Sequence, residues 1–427
     1  MSMYKIVFFL LLSVTAVGQN YTGTKTPYPF KQADYTPVPK GFSAAYVNYT
    51  GRHGARFMTK AGSDVKLLAL LNKSQLTALG DSIKVMTAHF LEIEKDNYEN
   101  ISLLGDAEQH AIGSRLRERQ ASAFKGRGLS IAVTHKKRTR QSADGFLKAF
   151  ADYKGKKEFK IVQDTNENVL RFYDLSPAYE AYKDGKVIAI RVDSLRNDPR
   201  SQKIASDISK RLFKTTLPEK DQAAVAEWLY DLYSIQFSLV MEMQQANVHF
   251  DFGKAFTKED LQWLDKINSA ADFLEKGAGL DTLGIQSRIA APLLLDLVTS
   301  TDALIRGKLK KDAVLRFSHA EAIAPLATLM GIPEASMPSA SIYDYDKYWK
   351  AENIIPLSAN IQWVIYSNGK QFLIKVLLNE REVALPVKTT NYPYYKWEEV
   401  KTYYLSKLKK IGVKPGDDMH KYLLNVK

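Results

Sequence analysis

Apolar and polar residues follow two kinds of pattern along the chain, one typical of strands and one typical of helices. The order of these patterns predicts an α/β fold. Short apolar runs typical of buried strands span residues 42–50 and 129–134, and each leads into a basic segment and then a helical pattern. A third strand–helix unit covers residues 312–331, and a hairpin pattern covers residues 371–387. Strand–loop–helix units therefore stand at both ends of the chain.

Long helical patterns dominate the middle of the chain, at residues 221–243 and 280–305. We therefore expect one large α/β domain whose central, mostly parallel sheet is flanked by helices. Residues 19–154 and 308–427 would form this domain. Residues 155–307 would form an inserted, mostly α-helical domain.

The first eighteen residues are predicted to be a signal peptide. Lys5 precedes an apolar run at residues 6–12, and small residues follow at Ala16 and Gly18. The run is too short to span a bilayer, so we expect an exported protein, periplasmic or secreted, without stable membrane insertion. The chain has no cysteine, which excludes disulfides, a thiolate nucleophile and cysteine-bound zinc.

The formal net charge of +13 has three ordinary explanations: an acidic substrate, an anionic surface, or solubility alone. Charge by itself does not choose between them.

The segment "YTGRHGARFM" contains the first candidate chemistry. Arg52, His53 and Arg56 come directly after a predicted strand, where ligands bind in open α/β sheets. Two guanidinium groups suit a tetrahedral oxyanion, and an imidazole beside two cations is held neutral and nucleophilic. Incidental charge on a surface loop is the plain alternative.

Two later segments could complete such a site. Arg138 lies in a basic run at residues 135–140, before a helix predicted from Ser142. A solvated charge run is the alternative there. In "RFSHAEA", His319 ends a strand and Glu321 begins a helix, so the glutamate is either a helix-capping acid or a general acid.

The remaining histidines are scattered and lack the spacing of metal ligands, so we expect no metal and no other cofactor. They are His89, His110, His249 and His420.

These segments resemble a known family. "RHGARFM" is similar to the R-H-G-x-R-x-P signature of the histidine acid phosphatases, clade two of the histidine phosphatase superfamily. "SHAE" resembles the His-Ala-Glu proton-donor tripeptide of the multiple inositol-polyphosphate phosphatases, a branch with phytase activity. "GTKTPY", "LLGDAEQHAIGSRLRERQ" and "LLNEREVALP" also resemble that branch, in the same order. One departure is Met58, where the signature has proline.

The resemblance implies particular roles. His53 would be the nucleophile that becomes phosphohistidine, and Glu321 would protonate the leaving alcohol. The groups implied to bind the transferred phosphoryl group are Arg52, Arg56, Arg138 and His319. Candidates for the other phosphates of the substrate are Lys25, Lys136, Lys137 and Arg140.

The expected function is stepwise hydrolysis of inositol polyphosphates such as inositol hexakisphosphate. The partner would be this small polyanion rather than nucleic acid, and we expect a monomer. One alternative is a phosphomutase or a broad-specificity acid phosphatase acting on sugar phosphates or 2,3-bisphosphoglycerate. Another is a non-catalytic polyanion-binding protein, which would show salt-sensitive binding without turnover.

Overall fold

The strands of this computed structural model form one mixed sheet, described together with its helices over residues 20–154, 160–163 and 167–427. The predicted signal peptide lies outside these residues. Within the described ranges, the search for a helix long and apolar enough to cross a bilayer finds none. The strands are β1 (Ser43–Arg52), β2 (Leu129–Val133), β3 (Lys160–Gln163), β4 (Ala313–Ser318), β5 (Asn360–Ser367), β6 (Phe372–Leu378), β7 (Arg381–Glu382) and β8 (Tyr395–Lys396).

The sheet has the strand order β3-β2-β4-β1-β5-β6-β7, with β8 also paired to β6. The first four strands in this order run parallel, whereas β5 to β8 extend the sheet by antiparallel pairs. The α/β fold is therefore confirmed, and its parallel half carries the strand–helix units that the sequence predicted.

Helices fill the rest of the described chain. They are α1 (Ser63–Asn72), α2 (Ala78–Glu94), α3 (Leu103–Arg119), α4 (Lys137–Leu147), α5 (Pro177–Lys183), α6 (Lys186–Arg196), α7 (Pro199–Leu212), α8 (Glu219–Gln236), α9 (Val240–Gln245), α10 (Lys258–Glu275), α11 (Ile285–Arg288), α12 (Ala291–Ile305), α13 (Ala320–Met330), α14 (Pro333–Ser336), α15 (Ala351–Ile354), α16 (Trp397–Lys410) and α17 (Met419–Asn425).

Helix α4 begins at Lys137, five residues before the predicted start at Ser142. The basic run is therefore the first turn of a helix, not a loop. Its buried residues Thr139, Ser142, Ala143 and Phe146 follow the helical spacing of one buried face, which four charged neighbours obscure in the sequence.

Helices cover both faces of the sheet. On one face, Ile112 of α3 and Phe146 of α4 pack against β1 and β4 in one apolar cluster. On the other, Leu293 of α12 and Leu326 of α13 pack with Trp363 of β5 in a second cluster. This second cluster also includes residues from α5, α6 and α10. The helical middle of the chain therefore shares a core with the sheet.

A third cluster joins α1 and α2 to α7 and α8. Two elements within the range predicted for the helical insertion belong to or contact the sheet. One is strand β3. The other is α12, whose Leu297 carbonyl accepts from Asn48 Nδ2 of β1 at 3.3 Å. The limits of the inserted domain stay a prediction.

A buried carboxylate ties three separate segments together. Glu380, 3% exposed in the turn between β6 and β7, accepts hydrogen bonds from Arg115 Nη2 at 2.6 Å and Arg119 Nη1 at 3.1 Å. Arg119 also donates to the Tyr35 hydroxyl at 2.7 Å, and that hydroxyl donates to the Glu380 carbonyl. The N-terminal arm, α3 and the hairpin are therefore held at one point.

Replacing Glu380 with alanine should lower the free energy of unfolding by about 3 kcal/mol, because two partly buried guanidinium groups lose their carboxylate. Urea denaturation of both proteins measures this. Glu399→Ala is the matched control, since Glu399 pairs with Lys396 at the surface, and it should change the same quantity by less than about 0.5 kcal/mol. Equal losses in the two variants would contradict the prediction.

Candidate active site

Two sequence segments meet at the carboxyl ends of neighbouring parallel strands. Strand β1 pairs with β4 so that Arg52 lies opposite Ser318, and the next residue on each strand is a histidine. The backbone N–H of His53 donates to the Ser318 carbonyl at 3.1 Å. The ring centroids of His53 and His319 are 5.5 Å apart. The parallel register thus places both imidazoles in one buried site.

The imidazole of His53 has a defined tautomer. Its Nδ1 atom is 3.0 Å from the carbonyl oxygen of Gly54, and a carbonyl can only accept, so Nδ1 carries the proton. Burial lowers the pKa of His53 well below its usual value, and the positive charges of Arg52 and Arg138 lower it further. The ring is therefore neutral, with the lone pair on Nε2.

Main-chain carbonyls orient two of the predicted arginines. Arg52 Nη1 donates to the carbonyls of Thr24 at 2.7 Å and Ile355 at 2.5 Å. Arg56 Nη1 donates to the carbonyl of Phe57 at 2.6 Å. Burial lowers the pKa of each guanidinium to about 10, so both remain charged at neutral pH.

Arg138 approaches from the first turn of α4. Its Nη1 atom is 3.8 Å from Glu99 Oε1, and its side chain is largely buried. The Nε atoms of Arg52, Arg56 and Arg138 are all buried and have no hydrogen-bond partner within the described parts of the chain. Native proteins rarely leave such groups without a partner, so this arrangement suits an anionic ligand.

His319 contributes a further unused donor. Its Nε2 atom is 3.1 Å from Thr134 Oγ1 and 3.3 Å from Arg171 Nη1. Because a guanidinium can only donate, Nε2 is an acceptor and Nδ1 carries the proton. This Nδ1–H group is buried without a partner among the described residues. His319 can therefore donate one hydrogen bond to a ligand.

Glu321 lies in the first turn of α13, two residues after the N-cap residue His319. Its Oε1 atom is 3.1 Å from Lys276 Nζ. Partial burial alone would raise the pKa of Glu321, but the charges of Lys276 and Arg52 lower it by more, and the net pKa is well below the usual value. The carboxylate is therefore ionised in the ligand-free protein.

Helix α3 holds the loop after β1 from behind. Glu108 Oε2 accepts from the backbone N–H of Ala55 at 3.0 Å and from the Ser358 hydroxyl at 2.7 Å. Gln109 Nε2 donates to the Arg52 carbonyl at 3.0 Å. Both side chains belong to "LLGDAEQHAIGSRLRERQ", which the sequence analysis singled out without assigning any residue a role.

The same loop and helix approach each other through two glycines. A Cβ atom at Gly54 would lie 2.6 Å from the Gly105 carbonyl oxygen, and one at Gly105 would lie 2.0 Å from the Ala55 carbonyl oxygen. Gly54 N–H also donates to the Ser142 hydroxyl at 3.0 Å. Backbone contact with α3 therefore explains the glycine that follows His53.

Met58, which replaces the signature proline, uses the N–H group that proline lacks. This N–H donates to both carboxylate oxygens of Glu94, at 2.9 and 3.0 Å. Glu94 is fully buried, and burial raises its pKa to about 8 even though the Met58 hydrogen bond opposes the shift. The end of the loop is thus fixed by a side chain from α2.

A cavity of about 240 Å³ adjoins this site. Four predicted residues line it, namely Lys136, Arg138, His319 and Glu321. Three cationic residues that sequence reasoning missed also line it, namely Arg171, Lys183 and Lys276. They come from the middle of the chain, where no motif marked them.

The other predicted substrate-binding residues lie elsewhere. Lys137 and Arg140 are exposed on α4, and Arg140 Nε is 3.0 Å from Asp144 Oδ1. Lys25 Nζ is 2.9 Å from Asp231 Oδ1, although the adjacent Thr24 carbonyl contacts Arg52. Of the four residues predicted to bind further phosphates, Lys136 alone lines the described cavity.

A search of the described residues finds no group of three or more His, Cys, Asp or Glu side chains that could hold a metal ion. The expectation that the site works without a metal stays a prediction.

Comparisons with known proteins identify the fold and the family of this chain. The fold matches that of the Bifidobacterium longum Multiple Inositol Polyphosphate Phosphatase, crystallised with inositol hexasulfate, with a TM-score of 0.78 at 21% identity over 90% of this chain and 97% of that chain. It also matches the phytase from D. castellii, with a TM-score of 0.71 at 15% identity over 96% of this chain and 88% of that one.

A curated human relative matches in sequence. Multiple inositol polyphosphate phosphatase 1 of Homo sapiens is 24% identical in an alignment of 256 residues that covers 56% of this chain and 50% of the human protein. The chain thus spans half the length of that relative. A family model, described as Histidine phosphatase superfamily (branch 2), matches residues 46–379. The chain therefore belongs to branch 2 of the histidine phosphatase superfamily, as its segments predicted.

Proposed function

We propose that this protein hydrolyses inositol polyphosphates, removing phosphates stepwise through a phosphohistidine on His53. One observation carries the proposal. Nδ1–H of His53 is donated to Gly54, which leaves a lone pair on Nε2. The charges of Arg52, Arg138 and Arg56 act on this imidazole, and each of these arginines has a buried Nε without a partner among the described residues. A nucleophile facing preorganised cationic donors is what phosphoryl transfer requires.

In the first step, His53 Nε2 attacks phosphorus and the ester P–O bond breaks. Glu321 takes up a proton from solvent in the substrate complex and gives it to the departing alcohol oxygen. The guanidinium groups of Arg52, Arg56 and Arg138, with His319 Nδ1–H, stabilise the charge that spreads over the three equatorial oxygens.

In the second step, a water molecule attacks the phosphohistidine. The carboxylate of Glu321 accepts a proton from this water, the P–N bond breaks, and inorganic phosphate leaves. Glu321 is then protonated again, as it was when the ester bond broke, and this proton returns to solvent when the empty site reverts to the ionised carboxylate.

The basic wall of the cavity supports a substrate with several phosphates. Lys136, Arg171 and Lys183 all line it, and a monophosphate already bound by Arg52, Arg56 and Arg138 would leave them unused. The human and Bifidobacterium relatives are named for inositol polyphosphates, which is the same substrate class. The proposal includes export, for which the sequence of residues 1–18 is the support, and it uses no metal.

Replacing His53 with alanine should abolish turnover of inositol hexakisphosphate, because a methyl group cannot accept a phosphoryl group. Rapid-quench experiments with radiolabelled substrate should trap an acid-labile phosphoprotein in the wild type and none in the variant. Circular dichroism should show that the variant folds. His110→Ala is the control, since His110 is exposed on α3, and it should behave as the wild type. An active His53→Ala variant would refute the proposed nucleophile.

Glu321→Gln should slow hydrolysis of an alkyl phosphate at least about tenfold more than hydrolysis of nitrophenyl phosphate. An alkoxide needs a proton to leave, whereas nitrophenolate leaves without one. The measurement is kcat for both substrates at one pH. Equal losses on the two substrates would remove Glu321 from the acid role and leave the His53 step untouched.

A further inference from the structure

Lys276 lies beside the proton donor of the proposed reaction, and both side chains line the cavity. This lysine follows the last residue of α10, and its Nζ atom is 3.1 Å from Glu321 Oε1 and 2.6 Å from Asp272 Oδ1. Its side chain is 14% exposed and lines the same cavity as Lys183. One ammonium group is therefore shared by two carboxylates while it also faces the space for substrate.

Other charged groups surround Glu321 from several elements. The cations are the guanidinium groups of Arg52, Arg56 and Arg138. The acids and phenols that interact with it come from the segment before α5, from α5 and from α10, and are Tyr173, Asp174, Tyr179 and Glu275. His319, directly before α13, is held neutral, since burial and the charge of Arg138 lower its pKa.

These surroundings create a conflict for the proton donor. A general acid must carry a proton when the ester bond breaks, but an ammonium at 3.1 Å favours the carboxylate form. The transferred phosphate offsets most of the charge of the three guanidinium groups whatever the substrate. That phosphate does not by itself engage Lys276, which is paired with Asp272 on the cavity wall.

A second phosphate on the substrate changes this balance. A phosphate monoester carries a charge near −2 at neutral pH, so it attracts an ammonium more strongly than one carboxylate does. Lysine has a flexible stem and acts as a point charge, so Lys276 can turn towards such a group. Lys183 and Arg171 line the same cavity and favour a phosphate there.

From this geometry we propose that Lys276 makes proton donation by Glu321 depend on a second phosphate of the substrate. The neighbouring phosphate of a polyphosphate draws the ammonium away from Glu321, and the carboxylate then takes up from solvent the proton that it gives to the leaving oxygen. This inference rests on the proposed function and names its substrate class, an alcohol that carries phosphates on adjacent carbons. The second phosphate therefore raises kcat and does not merely lower KM.

The test compares the pH dependence of kcat for inositol hexakisphosphate and for glycerol 2-phosphate. In the wild-type protein, kcat falls at high pH, and this alkaline limb of the pH profile reports loss of the proton from Glu321 in the bound complex. This fall should lie at least about one pH unit higher for the hexakisphosphate, because its second phosphate removes the effect of a nearby cation.

Lys276→Met should shift the alkaline limb of kcat for glycerol 2-phosphate to a higher pH. The new position should be the pH at which the wild type shows this limb for the hexakisphosphate. At a pH between the two wild-type limbs, kcat for glycerol 2-phosphate should rise about tenfold, while the hexakisphosphate limb stays in place and its KM increases. Lys183→Met is the matched control: it lines the same cavity but pairs with Glu180, so it should raise KM for the hexakisphosphate without moving either limb.

Asp272→Asn provides a second variant with the opposite effect, should Lys276→Met fail to fold. Loss of the competing carboxylate strengthens the pair between Lys276 and Glu321, so the glycerol 2-phosphate limb should move to lower pH. The role of Lys276 would be overturned if the wild type showed its alkaline limb at the same pH for both substrates. It would also be overturned if the Lys276 variant shifted the limb equally for both substrates. That result differs from failure of the proposed function, in which the wild type would release no His53-dependent phosphate from either substrate.

Discussion

The parallel pairing of β1 with β4 is the constraint on which the site depends. Arg52 lies opposite Ser318 in this register, so the residues that follow the two strands come together although 266 positions separate them along the chain. A slip of one residue would turn every side chain of β1 to the opposite face. Pairing of β1 with β5 on its other side fixes this register a second time, and the Ala359 carbonyl accepts from the Arg52 N–H at 2.7 Å.

The second constraint is the concentration of positive charge below the surface. Arg52 and Arg56 donate to main-chain carbonyls rather than to carboxylates, and Arg138 has a contact of 3.8 Å with Glu99. Carbonyl dipoles orient these cations without neutralising them, so the potential at His53 stays strongly positive. Burial of such charges destabilises the folded state unless an anion binds, which makes the site a strong receptor for a dianion.

Local motifs revealed one part of this site, and tertiary packing determined the rest. Arg52, His53 and Glu321 could be predicted because each lies at the end of a strand or in the first turn of a helix whose pattern is clear from a few residues. Arg171, Lys183 and Lys276 could not, since none lies in a recognisable motif and a lysine or arginine ordinarily faces solvent. They reach the cavity because the segment that leads into α5, the end of α5 and the end of α10 all lie beside His319 and Glu321.

The secondary structure could likewise be predicted from the sequence only in part. The strand–helix units at β1, β2 and β4 were predicted because apolar runs and following helices are contiguous. Strand β5 was missed although it is almost completely buried, since its polar residues Asn360 and Gln362 interrupt the apolar pattern. The first turn of α4 was also missed, because three basic residues, Lys137, Arg138 and Arg140, concealed a buried face that begins with Thr139.

The hydrogen bond between Met58 and Glu94 has a consequence for descent within the superfamily. Proline at position 58 would leave the buried carboxylate without its donor, and a residue without an acceptor at position 94 would leave the Met58 N–H unsatisfied. Each change alone leaves a polar group without its hydrogen-bond partner and destabilises the folded protein. The two changes together remove both the donor and the acceptor, so no such group is left. Lineages that differ at one position should therefore differ at the other, and the two residues form a coupled evolutionary unit that spans α2 and the loop after β1.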